Sequence, residues 1–309
     1  MFFPNRYILL VRSVRWSRNW NGRLLGIGLV AAGTVVVWLA TERMTGAAMP
    51  PAPLTYPKRV VSVSLASDEI LLELAPEKLV AVSALATVFD RAATVPQRVG
   101  VDIERILLLD ADVVAIGGHD LAVAQRLEEL GVRVVRITGY DSIDWLRSQI
   151  RTLGEVVGEA ARAEAMIAAM DRRLAAVAER VKERPKPLVA FYSMSGWIPG
   201  RATLADEAIR WAGGVNLGAQ LGLDKYKKIS LEQLILSDPD VIVLRGGDKN
   251  RLANRELIQH PVLQHLRAVR NERVVTLPPS LSNMVSHDLV KTVETLARLL
   301  HPDAFKEAL

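Results

Sequence analysis

Two stretches of this sequence repeat each other and decide its fold. Residues 104–120 read ERILLLDADVVAIGGHD, and residues 232–248 read EQLILSDPDVIVLRGGD. They align without a gap and share seven of 17 residues, and five of the other ten pairs exchange one aliphatic residue for another. Each copy predicts a helix, a turn that holds two aspartates, and an apolar strand that runs into a glycine-containing loop. Because charged positions also match, the repeat indicates two similar lobes rather than two chance helix–strand units.

Strands and short helices alternate on both sides of each copy. Strands are predicted at residues 59–64, 79–83, 112–116, 133–137, 188–192, 241–244 and 273–277. Helices are predicted from a cap at Ser67-Asp68 to Leu74, and at residues 121–130, 204–212 and 287–300, while residues 106–110 form the end of another helix. This alternation is typical of an α/β fold in which helices cross between neighbouring strands of a parallel sheet.

Alanine-rich sequence without proline lies between the two halves. Residues 159–184 predict one helix of 26 residues, about 39 Å long, with Gly158 as a break before it and Pro185 after it. A helix of this length can join two lobes. We therefore predict two Rossmann-like lobes with parallel sheets, joined by a single long inter-lobe helix. The expected organisation is an N-terminal lobe at 58–141, a helical region at 142–184 and a C-terminal lobe at 185–309.

The positive charge of the chain is concentrated at its N-terminus. The net charge is +5, and residues 1–48 hold six arginines against one glutamate, so the remainder carries no net charge. An apolar run at 24–39 follows the arginines, and small residues follow the run. We predict a signal peptide or an N-terminal membrane anchor at 1–48 and a proline-rich linker at 49–57, with the rest of the chain in the periplasm or otherwise outside the cytoplasm. A neutral body argues against nucleic acid as a partner.

Cysteine is absent from the sequence. This excludes disulfides, thiolate metal sites and a lipid-bearing cysteine near the N-terminus. No phosphate-binding glycine loop, nucleophile elbow or HExxH motif is present either, so the sequence does not predict an enzyme.

Several segments together resemble a known family. They are SLASDEILLEL (64–74), VGVDIERILLLDADVV (99–114), WAGGVNLG (211–218), ISLEQLILSDPDVIV (229–243) and HPVLQHLRAVRNERVVTLP (260–278). With the central helix, their order and spacing resemble the substrate-binding proteins of ABC importers that carry ferric siderophores, haem or cobalamin. The resemblance covers residues 58–302.

This resemblance implies a receptor that holds its ligand between two lobes and needs no cofactor of its own. It also implies an ABC permease and its ATPase as partners. Family members dock onto arginines of the permease through one glutamate on each lobe, and the matching residues here are Glu104 and Glu232. They head the two copies of the repeat.

Candidate ligand contacts come from loops that follow predicted strands. In the first lobe they are Ser67, Asp68, Phe89, Asp90, His119, Asp120 and Tyr140. In the second lobe they are Ser195, Trp197, Arg201, Tyr226, Arg245 and the segment 284–288, which contains His287. Aromatic rings supply broad apolar contact, and arginine supplies planar donors to carboxylate or catecholate oxygens. We therefore expect a metal chelate, with a ferric siderophore ahead of cobalamin or haem.

Two other classes remain open from the sequence. His119 and His287, with Asp288 or Tyr140, would suit a receptor for a bare metal ion if their side chains converged. A sensor or enzyme anchored in the membrane could also use this fold, because fold alone does not decide function.

Overall fold

The computed structural model describes residues 56–193, 195–246, 255, 259–282 and 284–306. The predicted export segment, most of the linker and Asp248 lie outside these residues. Within the described ranges, no helix combines the length and the apolar character needed to cross a bilayer.

The first sheet is parallel throughout and has the strand order β3-β2-β1-β4-β5. Its strands are β1 (Val60–Ser62), β2 (Leu79–Ser83), β3 (Gln97–Val99), β4 (Val113–Gly117) and β5 (Arg133–Ile137). The central strands β1 and β4 are buried on both faces, as expected for a sheet covered by helices on each side.

The second half of the chain builds a second parallel sheet, with the order β11-β10-β6-β8. Its strands are β6 (Leu188–Tyr192), β8 (Val215–Asn216), β10 (Val241–Arg245) and β11 (Val274–Leu277). A separate antiparallel pair, β7 (Trp197–Pro199) with β9 (Tyr226–Lys228), accompanies it. The prediction of two α/β lobes with parallel sheets is confirmed, and the antiparallel pair was not predicted.

Helices surround both sheets. They are α1 (Leu65–Leu74), α2 (Ile103–Leu108), α3 (Leu121–Glu129), α4 (Ile143–Val157), α5 (Ala160–Val181), α6 (Leu204–Trp211), α7 (Leu217–Gln220), α8 (Leu231–Ser237), α9 (Arg267–Arg270), α10 (Pro279–Ser282) and α11 (Leu289–Leu300). The final helix therefore begins at Leu289 rather than at the predicted residue 287.

The long helix α5 joins the lobes, as predicted, but it has 22 residues rather than 26. Gly158 closes the preceding helix with a left-handed φ of 79°, which confirms the predicted break. Near its start, Arg162 Nη1 donates a 3.0 Å hydrogen bond to the Leu74 carbonyl of the first lobe. Further along, Arg173 makes two 2.8 Å hydrogen bonds to the Glu294 carboxylate of α11 in the second lobe. The helix is thus anchored to both lobes.

The repeat is also present in the backbone. Asp110 and Asp238 both adopt the uncommon left-handed conformation, with φ of 47° and 42°. Gly118 N and Gly246 N donate to the carbonyls of Ile137 and Leu277, at 2.7 and 2.6 Å. The identical residues of the two copies therefore serve the same structural purpose in each lobe.

The aspartates at the start of β4 and β10 explain two more of these identities. Asp112 Oδ2 accepts hydrogen bonds from the backbone N–H groups of Lys58 and Arg59, at 2.7 and 2.9 Å. Asp240 Oδ2 accepts one from Leu188 N at 2.8 Å. Each carboxylate therefore holds the beginning of the neighbouring central strand of its own lobe.

The prediction that Ser67-Asp68 caps the first helix is wrong. The helix α1 begins at Leu65 with Ser64 as its N-terminal cap residue, so Ser67 and Asp68 lie inside the first turn. Ser67 Oγ donates to the Ser64 carbonyl at 3.0 Å and pairs with Ser62 Oγ at 2.7 Å. These bonds turn the side chain into the protein rather than along the helix end.

Candidate functional site

A tyrosine-centred group lies where the strands of the first lobe end. The loop after β5 carries Tyr140, whose ring packs on Trp145 with centroids 4.6 Å apart. Burial raises the pKa of the Tyr140 hydroxyl; the Asp120 carboxylate adds to this rise, and the Ser64 hydroxyl acts against it. Since Asp120 and Ser64 also flank Gly117 at the end of β4, the loops after β1, β4 and β5 meet at this point. The structure thus brings together two predicted site residues, Asp120 and Tyr140.

The antiparallel pair β7–β9 supplies an aromatic and cationic face in the second lobe. Trp197 lies opposite Lys228, and Pro199 lies opposite Tyr226. Residues that are opposite each other or two apart on a strand share a face, so Trp197, Tyr226 and Lys228 lie on the same side. Lys228 Nζ is 5.6 Å from the Trp197 ring centroid, and Trp197 and Tyr226 are 44% and 51% exposed. We call these three residues the β7–β9 face.

Arg245 adds a further cation near the β7–β9 face. It is the last residue of β10 and is exposed. Crowding by protein atoms raises the pKa of the Tyr226 phenol although half of this residue is exposed, and the Arg245 guanidinium acts in the opposite direction. The structure therefore places Arg245 and Tyr226, two of the predicted contacts, near each other.

The lobes meet beside these groups. Lys225 Nζ of the second lobe lies 4.0 Å from Asp141 Oδ2 of the first. Because Asp141 follows Tyr140 and Lys225 precedes Tyr226, this contact brings the two tyrosine-bearing segments toward each other.

A second contact between the lobes involves α1 and the segment before α11. Ser286 Oγ donates a hydrogen bond to Glu69 Oε2, and His287 Nε2 lies 3.3 Å from Glu73 Oε2. Arg91 also pairs with Glu73. Glu69, Arg91 and His287 line a pocket of about 240 Å³. Its lining includes Phe89 and Asp90, two of the predicted contacts.

The two glutamates of this contact have opposite pKa shifts. Burial raises the pKa of Glu69 to about 8, although the Ser286 hydrogen bond acts against the rise. The hydrogen bond with His287, helped by Arg91, outweighs burial and lowers the pKa of Glu73 to about 2. The Nδ1 atom of His287 is buried and has no hydrogen-bond partner among the described residues.

Other predicted contacts are engaged inside one lobe. Ser67 and Asp68 are fully buried, and Asp68 accepts hydrogen bonds from the backbone N and the hydroxyl of Ser83. Burial raises the pKa of Asp68 to about 6. Arg201 Nε donates a 2.9 Å bond to Asp224 Oδ1. In this conformation neither Ser67 nor Asp68 presents surface to a ligand.

The remaining predicted residues lie in separate settings. His119 is exposed in the loop after β4, while His287 is buried in the contact with Glu73. Across the described part of the chain, no group of three or more histidine, aspartate and glutamate side chains is arranged to hold a metal ion. Ser195 is exposed, and its hydroxyl lies 3.0 Å from that of Ser193. The Met284 side chain is buried in the core.

Glu104 and Glu232 are exposed and occupy matching places. Each is the second residue of its helix, α2 or α8, and each follows a capped N-terminus. Hydrogen bonding with the Ser230 hydroxyl, aided by a backbone hydrogen bond, lowers the pKa of Glu232. Both side chains are available to a partner.

Several residues of the candidate site are not predicted from the sequence. Lys228, Lys225 and Asp141 were missed because the β7–β9 pair was not predicted. Glu69 and Glu73 were missed because they were assigned to a helix without a known partner. The spacing of Tyr226 and Lys228, two apart in a short strand, is the signal that could have placed both on the same face.

The chain forms two α/β lobes, each with a parallel sheet, and one long helix joins them. Aromatic and charged loops lie where the lobes meet, and this arrangement is typical of a two-lobed binding protein. A family model described as "Periplasmic binding protein" matches residues 60–281, and this chain belongs to that family.

Individual relatives agree with this assignment. A cobalamin-binding protein of Halobacterium salinarum is 28% identical over 261 residues, covering 79% of this chain and 70% of that protein. An uncharacterized ABC transporter substrate-binding lipoprotein of Bacillus subtilis is 24% identical over 266 residues, covering 81% of this chain and 82% of that protein. The crystal structure of a periplasmic haem-binding protein from Pseudomonas aeruginosa matches with a TM-score of 0.69 and 27% identity, covering 82% of this chain and 95% of that one.

Proposed function

We propose that this chain is the extracytoplasmic substrate-binding component of an ABC importer and that it captures a metal chelate between its lobes. It delivers this chelate to a permease driven by an ATPase, and it acts by binding rather than by catalysis. The observation that carries the proposal is the β7–β9 face. It lies beside Arg245, and the Asp141–Lys225 contact brings it toward Tyr140.

The chemistry of this face favours a large ligand with anionic groups. The Trp197 and Tyr226 rings offer flat apolar surface, while Lys228 and Arg245 offer positive charge to carboxylate or catecholate oxygens. A ferric siderophore fits this combination best. Cobalamin is the second candidate because the Halobacterium relative is a cobalamin-binding protein, and haem is the third because of the Pseudomonas structure.

The proposal is tested by ligand binding to the full chain in detergent micelles. A ferric catecholate siderophore, cyanocobalamin, haemin and divalent metal salts are screened by thermal shift and tryptophan fluorescence. A ligand present at 100 times its Kd stabilises the folded state by about 2.7 kcal/mol, which is readily measured.

Matched variants then locate the site. Lys228→Ala and Trp197→Ala are expected to weaken chelate binding. Lys227→Ala changes the neighbouring residue on the opposite face of the β7–β9 pair and is expected to leave chelate binding unchanged. Binding of bare divalent metal alone would favour the metal-ion receptor instead. No binding by any of these compounds would favour the sensor or enzyme alternatives.

A further inference from the structure

The two most exposed large apolar side chains of the described residues belong to Leu108 and Leu236. Each is 85% exposed, and the next, Leu85, is 65% exposed. Leu108 and Leu236 are also equivalent residues of the internal repeat. Isolated exposed leucines are common on protein surfaces, but equal exposure at matching positions in two lobes needs a shared cause.

Each leucine lies on the same helix face as one of the exposed glutamates. Glu104 and Leu108 are four residues apart in α2, and Glu232 and Leu236 are four residues apart in α8. Side chains four residues apart in a helix are neighbours on its surface. Each lobe therefore presents a carboxylate and a leucine side by side.

These leucines are not needed to hold their helices in place. In α2 the side chain of Ile106 is 1% exposed, and in α8 the equivalent Leu234 is fully buried. These two residues attach the helices to their lobes. A leucine that stays in solvent contributes little to the core, so its exposure points to contact with another molecule.

We propose that Leu108 and Leu236 are the apolar contact points through which the two lobes dock on the permease. The partner is a protein with two equivalent sites, each an apolar hollow beside a cationic side chain. A repeated surface element fits a two-fold symmetric partner, which offers the same site twice. The cation is inferred from the charge of Glu104 and Glu232. This inference rests on the proposed function.

The leucines and the glutamates contribute in different ways. Apolar burial slows dissociation and depends weakly on salt, whereas exposed charge pairs steer association and are screened by salt. The two contributions can therefore be separated by ionic strength.

The test uses the full chain and a candidate permease–ATPase complex from the same organism, reconstituted in lipid nanodiscs. Affinity is measured for Leu108→Ala, Leu236→Ala, the double variant and Leu85→Ala as the matched exposed-leucine control. We expect each repeat leucine to weaken docking about tenfold, the double variant to weaken it further, and the control to bind normally. The loss persists at about 0.5 M salt, whereas the effects of Glu104→Ala and Glu232→Ala shrink there.

Chelate binding and sedimentation of the same variants complete the experiment. Normal chelate binding with docking that ignores both leucines overturns this inference and leaves the proposed function standing. A wild-type chain that binds chelate but does not associate with the complex overturns this inference and the delivery step of the proposed function, and it leaves chelate capture standing. Self-association that depends on the leucines assigns them to a second copy of this chain and also overturns it. A wild-type chain that binds neither chelate nor complex overturns both proposals.

Discussion

Lys225 and Asp141 connect the two lobes across the proposed ligand site. The Lys225 ammonium lies 4.0 Å from the Asp141 carboxylate, and their side chains are 58% and 43% exposed. An ion pair so open to solvent stabilises a protein by about 0.2–1 kcal/mol. Its importance lies in its place, because it holds together the segments that carry Tyr140 and Tyr226.

Removing this ion pair should speed ligand release. Lys225→Met keeps the length of the side chain but loses its charge, and we expect a chelate to dissociate about 1.5- to 5-fold faster at low salt. Stopped-flow tryptophan fluorescence measures this rate. The difference should disappear at high salt, and Lys227→Met should behave as the wild type. Equal rates for both variants at low salt would show that the pair does not restrain the lobes.

The partly buried Glu69 should make stability fall as pH rises. Its pKa is raised from 4.5 to about 8, so its contribution to folded stability is fully present below pH 4.5 and is lost as pH rises through 8. Glu69→Gln mimics the protonated form and should remove a loss of several kcal/mol between pH 5 and pH 9. Urea unfolding at several pH values measures this, with the exposed Glu77→Gln as control. An unchanged pH slope in Glu69→Gln would contradict the assignment.

Glu73 should act at the acid end of the range. Its pKa is lowered from 4.5 to about 2, so its contribution is present above pH 4.5 and is lost as pH falls through 2. We expect Glu73→Gln to lose part of the stability at neutral pH and to show a flatter decline below pH 4.5. The effect should stay below about 1 kcal/mol because solvent reaches more than a third of the side chain. Acid titration followed by circular dichroism tests it, and a decline as steep as that of the wild type would exclude this role.

The repeated glycines should differ from an ordinary glycine in their tolerance of alanine. A Cβ on Gly246 would lie 2.5 Å from the Leu277 carbonyl oxygen, and one on Gly118 would lie 2.7 Å from Thr138 Cγ2 and 3.2 Å from the Ile137 carbonyl oxygen. We expect Gly246→Ala to cost about 2–3 kcal/mol and Gly118→Ala less, because a threonine methyl moves more easily than backbone.

Gly100→Ala provides the control for this comparison, since a Cβ there meets nothing within 4 Å. It should be neutral or slightly stabilising, because alanine reduces the freedom of the unfolded chain. Chemical denaturation of the three variants gives the order, and equal stability for all three would contradict the close-approach argument.

Most of the fold could be predicted because apolar runs, glycines and repeated aspartates mark its strands and turns directly in the sequence. The repeated aspartates and glycines act within one turn or on the neighbouring strand, as Asp112 and Gly118 show. The long helix was predictable from alanine content. It ends at Val181, a few residues before Pro185, because the residue before a proline disfavours the helical conformation.

The parts that escaped prediction depend on distant residues. His287 and Glu73 are 214 positions apart, and neither shows its partner in the sequence. The β7–β9 pair was missed because Tyr226-Lys227-Lys228 lacks the apolar alternation that indicates a strand. Ser67-Asp68 was predicted as a helix cap because serine and aspartate favour the N-terminal cap position. In the structure Ser64, three residues earlier, occupies that position.

The first sheet is built entirely from residues 60–137, before the chain reaches α5. A ribosome therefore completes all five strands of this sheet before it makes the first strand of the other. The first sheet can form its hydrogen bonds within one contiguous stretch of chain. Its connecting loops are therefore short, and its unpaired strand edges are exposed only briefly. The second lobe can then assemble against a finished neighbour, with α5 already in place as the surface on which α11 packs.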